Sequence, residues 1–175
     1  MLSQKTRYTI RALQHLADHY GEGHIPLGDI ADAQHIPRKF LTIILSEMAR
    51  AGLVASQRGR DGGYRLGLAP VDIRYGDIVR LTRGSLALVP CASRFAHETC
   101  RNCLPEKECR LRALMIQVRD ETAAVLDRLT LADRIDPAAL FEGEEAGAEE
   151  MPPASANLPQ PAVPRPPADG VLAAE

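Results

Sequence analysis

Residues 37–67 read PRKFLTIILSEMARAGLVASQRGRDGGYRLG, and no linker separates an amphipathic helix from a basic, glycine-centred hairpin. The first half is helical by its period: Leu41, Ile44, Leu45 and Met48 fall at i, i+3, i+4 and i+7 and make one apolar face. Pro37 opens this helix and Gly52 stops it. The second half predicts a strand over Leu53–Arg58, a tight glycine turn, and a returning strand over Tyr64–Gly67. So short a helix has to bury its apolar face on other helices, with the hairpin beside it. Few folds accept that order of elements.

Upstream, Tyr8, Ile10, Ala12, Leu13, Leu16 and Ala17 predict an amphipathic helix over Thr6–Tyr20, ended by Gly21 and Gly23. Pro26 then opens a shorter helix, LGDIADAQ. Two short helices joined by a brief turn, the second beginning with Arg38 and Lys39, make a helix-turn-helix pattern. Taken alone, the second helix reads equally well as an ordinary amphipathic helix with solvated charges. The hairpin decides between the two, because a basic hairpin directly after a helix-turn-helix is a wing.

Ile73–Leu81 predicts another short helix, packed on the first and closed by Gly84. A cysteine-rich segment over 85–110 follows, with little regular pattern. From Cys109 to Leu131 a long helix carries Leu111, Leu114, Met115, Val118, Thr122, Val125 and Leu129 on one stripe. At about 1.5 Å per residue it would run about 35 Å. Such a stripe calls for a partner, and pairing with the same helix of a second copy suits a protein that reads two-fold operators. The expected fold is mainly α with a small β-hairpin wing. It divides into a winged helix-turn-helix domain over 1–84, the cysteine loop over 85–110 and a dimerisation helix over 109–135. Residues 142–175, rich in Glu, Ala and Pro with few large apolar side chains, are expected to be a disordered acidic tail.

The net charge of −2 conceals an asymmetry that fits this division. Residues 1–112 hold 17 Lys and Arg against 11 Asp and Glu, whereas residues 136–175 hold one Arg against eight acids. A basic body with an acidic tail is compatible with binding nucleic acid. No apolar stretch follows Met1 and no run is long enough to span a bilayer, so neither a signal peptide nor a membrane partner is expected, and the expected location is cytoplasmic. An enzyme is not expected, since no nucleophile–base pair, phosphate-cradling loop or paired-carboxylate motif stands out. The competing class is a protein-interaction module built on the same winged helix.

For a double-stranded DNA operator, Lys39 and Thr42 at the start of the third helix are the expected base-edge contacts. Arg38 is expected to serve both base and phosphate, and Arg58 and Arg60 the wing. Gly62–Gly63 would keep the hairpin slim enough to approach a phosphate backbone or a minor groove.

All four cysteines lie in residues 91–109, CASRFAHETCRNCLPEKEC. By residue type alone the segment suits structural zinc, a thiol–disulfide switch or an iron–sulfur cluster. Zinc usually takes two Cys-x2–4-Cys knuckles, and here Cys100–Cys103 is one while Cys91 and Cys109 stand apart. Arg94, Arg101, Lys107 and Arg110 would lower a nearby thiol's pKa and favour a switch. The same charges would offset the negative charge of a thiolate-bound cluster. His97 reads as a solvent-exposed loop histidine.

The run IPRKFLTIILSEMARAGLVASQRGRDGGYRLG, the helix IRYGDIVRL and a cysteine loop leading into CRLRAL resemble the Rrf-type winged-helix transcriptional regulators. That group includes the iron–sulfur cluster regulator, the nitric-oxide-sensitive repressor and the rhizobial iron regulator. The resemblance covers about residues 1–135, with the RGxxGGYxL wing and the AGLV junction its most specific motifs. It implies a homodimer, and a DNA-binding repressor that senses iron, redox state or nitric oxide through a 2Fe-2S or 4Fe-4S cluster. Cys91, Cys103 and Cys109 match the family's three cysteines, and Cys100 is an addition that supplies a fourth ligand, substitutes for Cys103 or stays spare. The other source of a fourth ligand is an acidic or N-terminal group of the partner subunit. Where some members place a histidine ligand three residues after the last cysteine, this chain has Arg112, which cannot ligate. A cluster-free thiol, disulfide or zinc-dependent regulator is the alternative.

Overall fold

Ser3 starts the first helix: its hydroxyl accepts a hydrogen bond from the Thr6 amide at 3.1 Å, a cap that contributes about 1 kcal/mol. The computed structural model describes residues 2–59, 62–136 and 138. Helix α1 (Gln4–Asp18) buries Ala12, Leu13 and Leu16, together with Thr6 and Thr9. Both threonines are satisfied: the Thr9 hydroxyl donates to the Lys5 carbonyl at 2.9 Å, and Thr82 donates to the Thr6 hydroxyl at 3.0 Å.

Helix α2 (Leu27–Gln34) is capped by Pro26, and α3 (Arg38–Arg50) by Pro37. The turn between them rests on His35 in the left-handed region, φ 49° and ψ 47°, a conformation that histidine accepts more readily than bulkier residues. Ile36 is buried beside it, and its amide donates to the Ala31 carbonyl at 2.9 Å. The helix-turn-helix is therefore held by a backbone turn and one apolar plug.

Strands β1 (Val54–Gln57) and β2 (Gly63–Leu66) pair antiparallel with Val54 opposite Leu66 and Gln57 opposite Gly63. Val54 and Leu66 face the core, and Arg65 faces out. Ile25, just before α2, joins the hairpin as a third segment through two 2.9 Å hydrogen bonds with Tyr64. Leu13, Leu16, Ile30, Leu41, Ile44, Leu45, Met48, Leu66, Ile73 and Ile78 are fully buried in one core. Helix α4 (Tyr75–Arg83) packs on α1, with Gln14 donating to the Tyr75 hydroxyl at 2.9 Å.

The last helix, α5 (Arg110–Arg128), is shorter than its sequence pattern suggests, about 28 Å at about 1.5 Å per residue. Leu129 leaves helical geometry because the chain finds other partners there. Tyr75 donates to the Leu129 carbonyl at 3.0 Å, and Leu131 donates to the Ile73 carbonyl at 2.9 Å. Leu129 and Leu131 thereby join the core rather than the stripe. Arg80 of α4 grips Asp127 of α5 through two bonds of 2.6 and 2.7 Å, and its guanidinium holds the Asp127 carboxyl below the usual carboxylate range. Gly76 makes room for this grip, since a Cβ there would overlap the Asp127 carboxylate.

The outer face of α5 has no cover within the protomer: Leu111, Leu114, Val118 and Val125 are exposed, Thr122 with them, and no residue of the helix is fully buried. Among the described residues no helix is long and apolar enough to cross a membrane. The wing residue Arg60 and the tail at 142–175 lie outside the described residues.

Candidate functional site

Helix α3 presents Arg38, Lys39 and Thr42 on its exposed N-terminal half, opposite the buried face of Leu41, Ile44, Leu45 and Met48. Arg38 bridges to Asp32 of α2 at 2.9 Å, with both side chains mostly exposed. A pair so wet is worth about 1 kcal/mol or less, so a phosphate can take Asp32's place without large loss. The Thr42 hydroxyl donates to the Arg38 carbonyl at 2.9 Å, leaving its lone pairs and methyl group outward. Phe40 and Ile43 share this surface, 38% and 56% exposed, with Phe40 edge-on to Tyr8 at 5.8 Å between ring centroids. The two apolar residues were legible as lying off the Leu41–Met48 stripe, yet charge-led reasoning passed over them.

Arg58 is exposed just past β1. The neighbouring glycines do something other than slim the hairpin. Gly59 takes the positive φ of the turn, 115°, while a Cβ on Gly63 would overlap the Ile25 carbonyl and sit 2.9 Å from the Pro26 nitrogen. Close passage of a third backbone segment demands glycine at 63.

Cys91, Cys100, Cys103 and Cys109 line one small hollow with Thr99, Leu104, Glu106 and Arg112. Cys91 is buried in a 3-10 turn, Pro90–Ala92. Cys109 caps α5, its sulfur accepting from the Arg112 amide at 3.4 Å at the positive end of the helix. Cys100 and Cys103 are exposed on the loop. Cys100 is pushed up to about 11, first by hydrogen bonding to Cys91, then by desolvation and by the charges of Cys91 and Cys103. At Cys100 this is opposite to the lowering expected from basic neighbours. Arg94 is spent on Asp120 at 2.9 Å, so at Cys100 the neighbouring sulfurs outweigh the cations.

Arg112, at the place of a family histidine, ties the hollow together. Its Nε donates to the Cys91 carbonyl at 3.0 Å and lies 3.4 Å from Glu106 Oε2. Glu106 Oε1 in turn lies 3.0 Å from the Nε2 of His97, which is exposed on the loop as the sequence suggests. Arg119, about two turns further along the same face of α5, donates to the Ala92 carbonyl and pairs with Asp120. Neither arginine was singled out for this from sequence, because carbonyl-directed ties leave no pattern in the chain. Two consecutive carbonyls of the Cys91 turn are thus held by two arginines of α5.

Among the described residues, no three His, Cys, Asp or Glu side chains converge tightly enough for a single metal ion. Four thiols around one hollow would suit as a donor set for a cluster, whose irons are bound at separate points. The residues present fit such a group.

Residues 2–137 match the Rrf2 family, described as iron-dependent transcriptional regulators. The chain is 38% identical over 138 residues to an rrf2-like HTH-type transcriptional regulator of Rhodobacter capsulatus, covering 77% of this chain and 92% of that protein. It is 33% identical over 132 residues to the HTH-type transcriptional regulator IscR of Aliivibrio salmonicida, covering 75% of each. The solved structure of CymR, the global cysteine regulator of Bacillus subtilis, matches with a TM-score of 0.63 at 36% identity, covering 76% of this chain and 94% of that one. These relatives are regulators rather than enzymes, and they share the helix-turn-helix and wing described above. The chain belongs to the Rrf2 family of winged-helix transcriptional regulators.

Proposed function

We propose that this DNA-binding regulator acts as a homodimeric repressor whose operator affinity is set by an iron–sulfur cluster on Cys91, Cys103 and Cys109. The carrying observation is that these thiols line one hollow at the start of α5, tied to that helix by Arg112 and Arg119. When bound, a cluster supplies a redox- and nitric-oxide-sensitive centre that is lost when iron is scarce. The protein's part is mechanical. Cys109 caps α5, Cys91 is strapped to it, and the far end of α5 is clamped to α4 through Asp127 and Arg80. Ordering the loop therefore bears on a rigid helix that joins the cysteine hollow to the winged domain. If α5 also pairs with its copy, a small change there alters the separation of the two α3 helices, which has to match about 34 Å, one turn of DNA.

Anaerobic reconstitution of the full chain is expected to give iron, sulfide and visible absorbance, and Cys91→Ser or Cys109→Ser is expected to abolish them. A Cys91→Ser protein that keeps a full cluster would overturn the assignment. The exposure of Cys100 and Cys103 favours a second reading, a cluster-free thiol switch, in which wild-type protein takes up no iron and operator binding follows thiol oxidation alone.

At the DNA, Lys39 and Thr42 read base edges, Arg38 is shared with phosphate, and Arg58 and Arg60 serve the wing. Lys39→Ala is expected to reduce operator discrimination by about 1–3 kcal/mol. Arg58→Ala should instead weaken binding on every sequence and lower the salt slope by about 1. Fluorescence anisotropy across a salt series separates the two, and an unchanged slope for Arg58→Ala would remove the wing from the interface.

A further inference from the structure

We infer that Cys100 is the fourth terminal ligand, so that the centre is held by four thiolates from one chain; this rests on the cluster reading above. Clusters of either size take four terminal ligands, and three cysteines leave one iron position to be filled. The hollow offers few candidates. Besides the four sulfurs it is lined by Thr99, Leu104, Glu106 and Arg112. Leu104 has no donor, and a guanidinium has no free lone pair to give a metal. Arg112 is in any case turned to the Cys91 carbonyl and Glu106. Thr99 offers only a neutral hydroxyl, a poor match for the softness of the iron–sulfide unit.

Glu106 is the one rival of the right charge. Its Oε2 already lies 3.2 Å from His97 Nε2 and 3.4 Å from Arg112 Nε, closing the loop between Cys103 and the first turn of α5. Its buried Oε1 has no hydrogen-bond partner among the described residues. Using Glu106 as a ligand would draw it away from Arg112, the residue that also donates to the Cys91 carbonyl. Cys100 carries no such duty: among the described residues its side chain has no bond to anything but the sulfurs around it. Its position three residues before Cys103 also places two thiolates on one short loop, where ordering one brings the other.

The division of labour follows. Thiolates alone hold the metal, while Arg112 acts as a positioning residue that carries the state of the hollow into α5.

Anaerobic iodoacetamide footprinting with peptide mass spectrometry tests this by comparing loaded and chelated protein at the same pH and reaction time. The comparison is needed because Cys100 is exposed in the metal-free protein but its raised pKa slows alkylation even of a spare thiol. In reconstituted wild type, all four cysteines should be protected, and chelation of iron should expose Cys100 and Cys103 together. Cys100→Ser should still take up iron but show altered electron paramagnetic resonance of the reduced centre and blue-shifted sulfur-to-iron bands. Its cluster should also be lost at least about tenfold faster, since removing even a supporting residue has that effect. Glu106→Gln should keep the wild-type spectrum. Alkylation of Cys100 as fast in loaded as in chelated wild type, or a Cys100→Ser spectrum identical to wild type, would overturn the inference while leaving the cluster intact. A changed spectrum in Glu106→Gln with an unchanged one in Cys100→Ser would assign the carboxylate instead. Wild type that takes up no iron at all sinks the underlying reading, and this inference with it.

Discussion

Gly63→Ala is expected to destabilise the winged domain by about 3–4 kcal/mol and to lower Tm by about 10 °C. A Cβ at 63 cannot be absorbed by a side-chain rotation, because what it meets is backbone: the Ile25 carbonyl and the Pro26 nitrogen. The Ile25 segment would have to withdraw, breaking its two 2.9 Å bonds with Tyr64. Each is worth about 1 kcal/mol, and the forced fit adds about 1–3 kcal/mol. Withdrawal would also move Pro26, the cap of α2, and so loosen the helix-turn-helix. Gly59→Ala is the control. It meets nothing within 4 Å and suffers only from its φ of 115°, a cost of about 1 kcal/mol. Thermal unfolding of both variants decides the matter, and a Gly63→Ala protein that melts within about 2 °C of wild type would mean that the third segment does not secure the wing.

The double substitution Leu114→Glu with Val118→Glu is expected to leave the fold intact, convert a dimer to a monomer and weaken operator binding by about 100-fold or more. Both residues lie on the outer face of α5, 52% and 36% exposed in the protomer, so their replacement removes nothing from the core. Leu111, Leu114, Val118 and Val125 rise along the helix at the spacing of a two-helix seam. Burying such side chains contributes about 1.5–3 kcal/mol each, and four glutamates facing one another across the axis would reverse the gain. Loss of the second α3 turns a linked two-half-site contact into two independent weak ones. Sedimentation shows the mass, circular dichroism the fold, and anisotropy the affinity. A variant that still sediments as a dimer would place the dimer contact elsewhere.

Much of the architecture is legible because its signals are local. Pro26 and Pro37 mark the caps of α2 and α3 in the residues themselves, and the Leu41–Met48 spacing states which face of α3 is buried. The glycine-centred hairpin follows from residues of the single short stretch Val54–Leu66. The two arms of the candidate site differ in this respect. Lys39, Thr42 and Arg58 can be named from pattern and charge, and the four cysteines from their crowding. Their surroundings cannot. Arg112 reaches the Cys91 carbonyl and Arg119 the Ala92 carbonyl across more than twenty residues, and His97 meets Glu106 across a loop with no periodicity. Backbone carbonyls look alike in every sequence, so nothing marks which one an arginine will choose.

Leu129 shows the same limit from the other side. Its spacing continues the stripe of α5, and only the open partners at Ile73 and Tyr75 draw it out of the helix and into the core. The chain's own order of helix, turn, helix and basic hairpin settles that this is a winged helix-turn-helix, since period, capping and turn chemistry act over a few residues. Tertiary structure alone decides that a third backbone segment pins the wing, that α5 is clamped at both ends, and that four thiols share one hollow. Those outcomes depend on which distant groups satisfy one another once the core has closed.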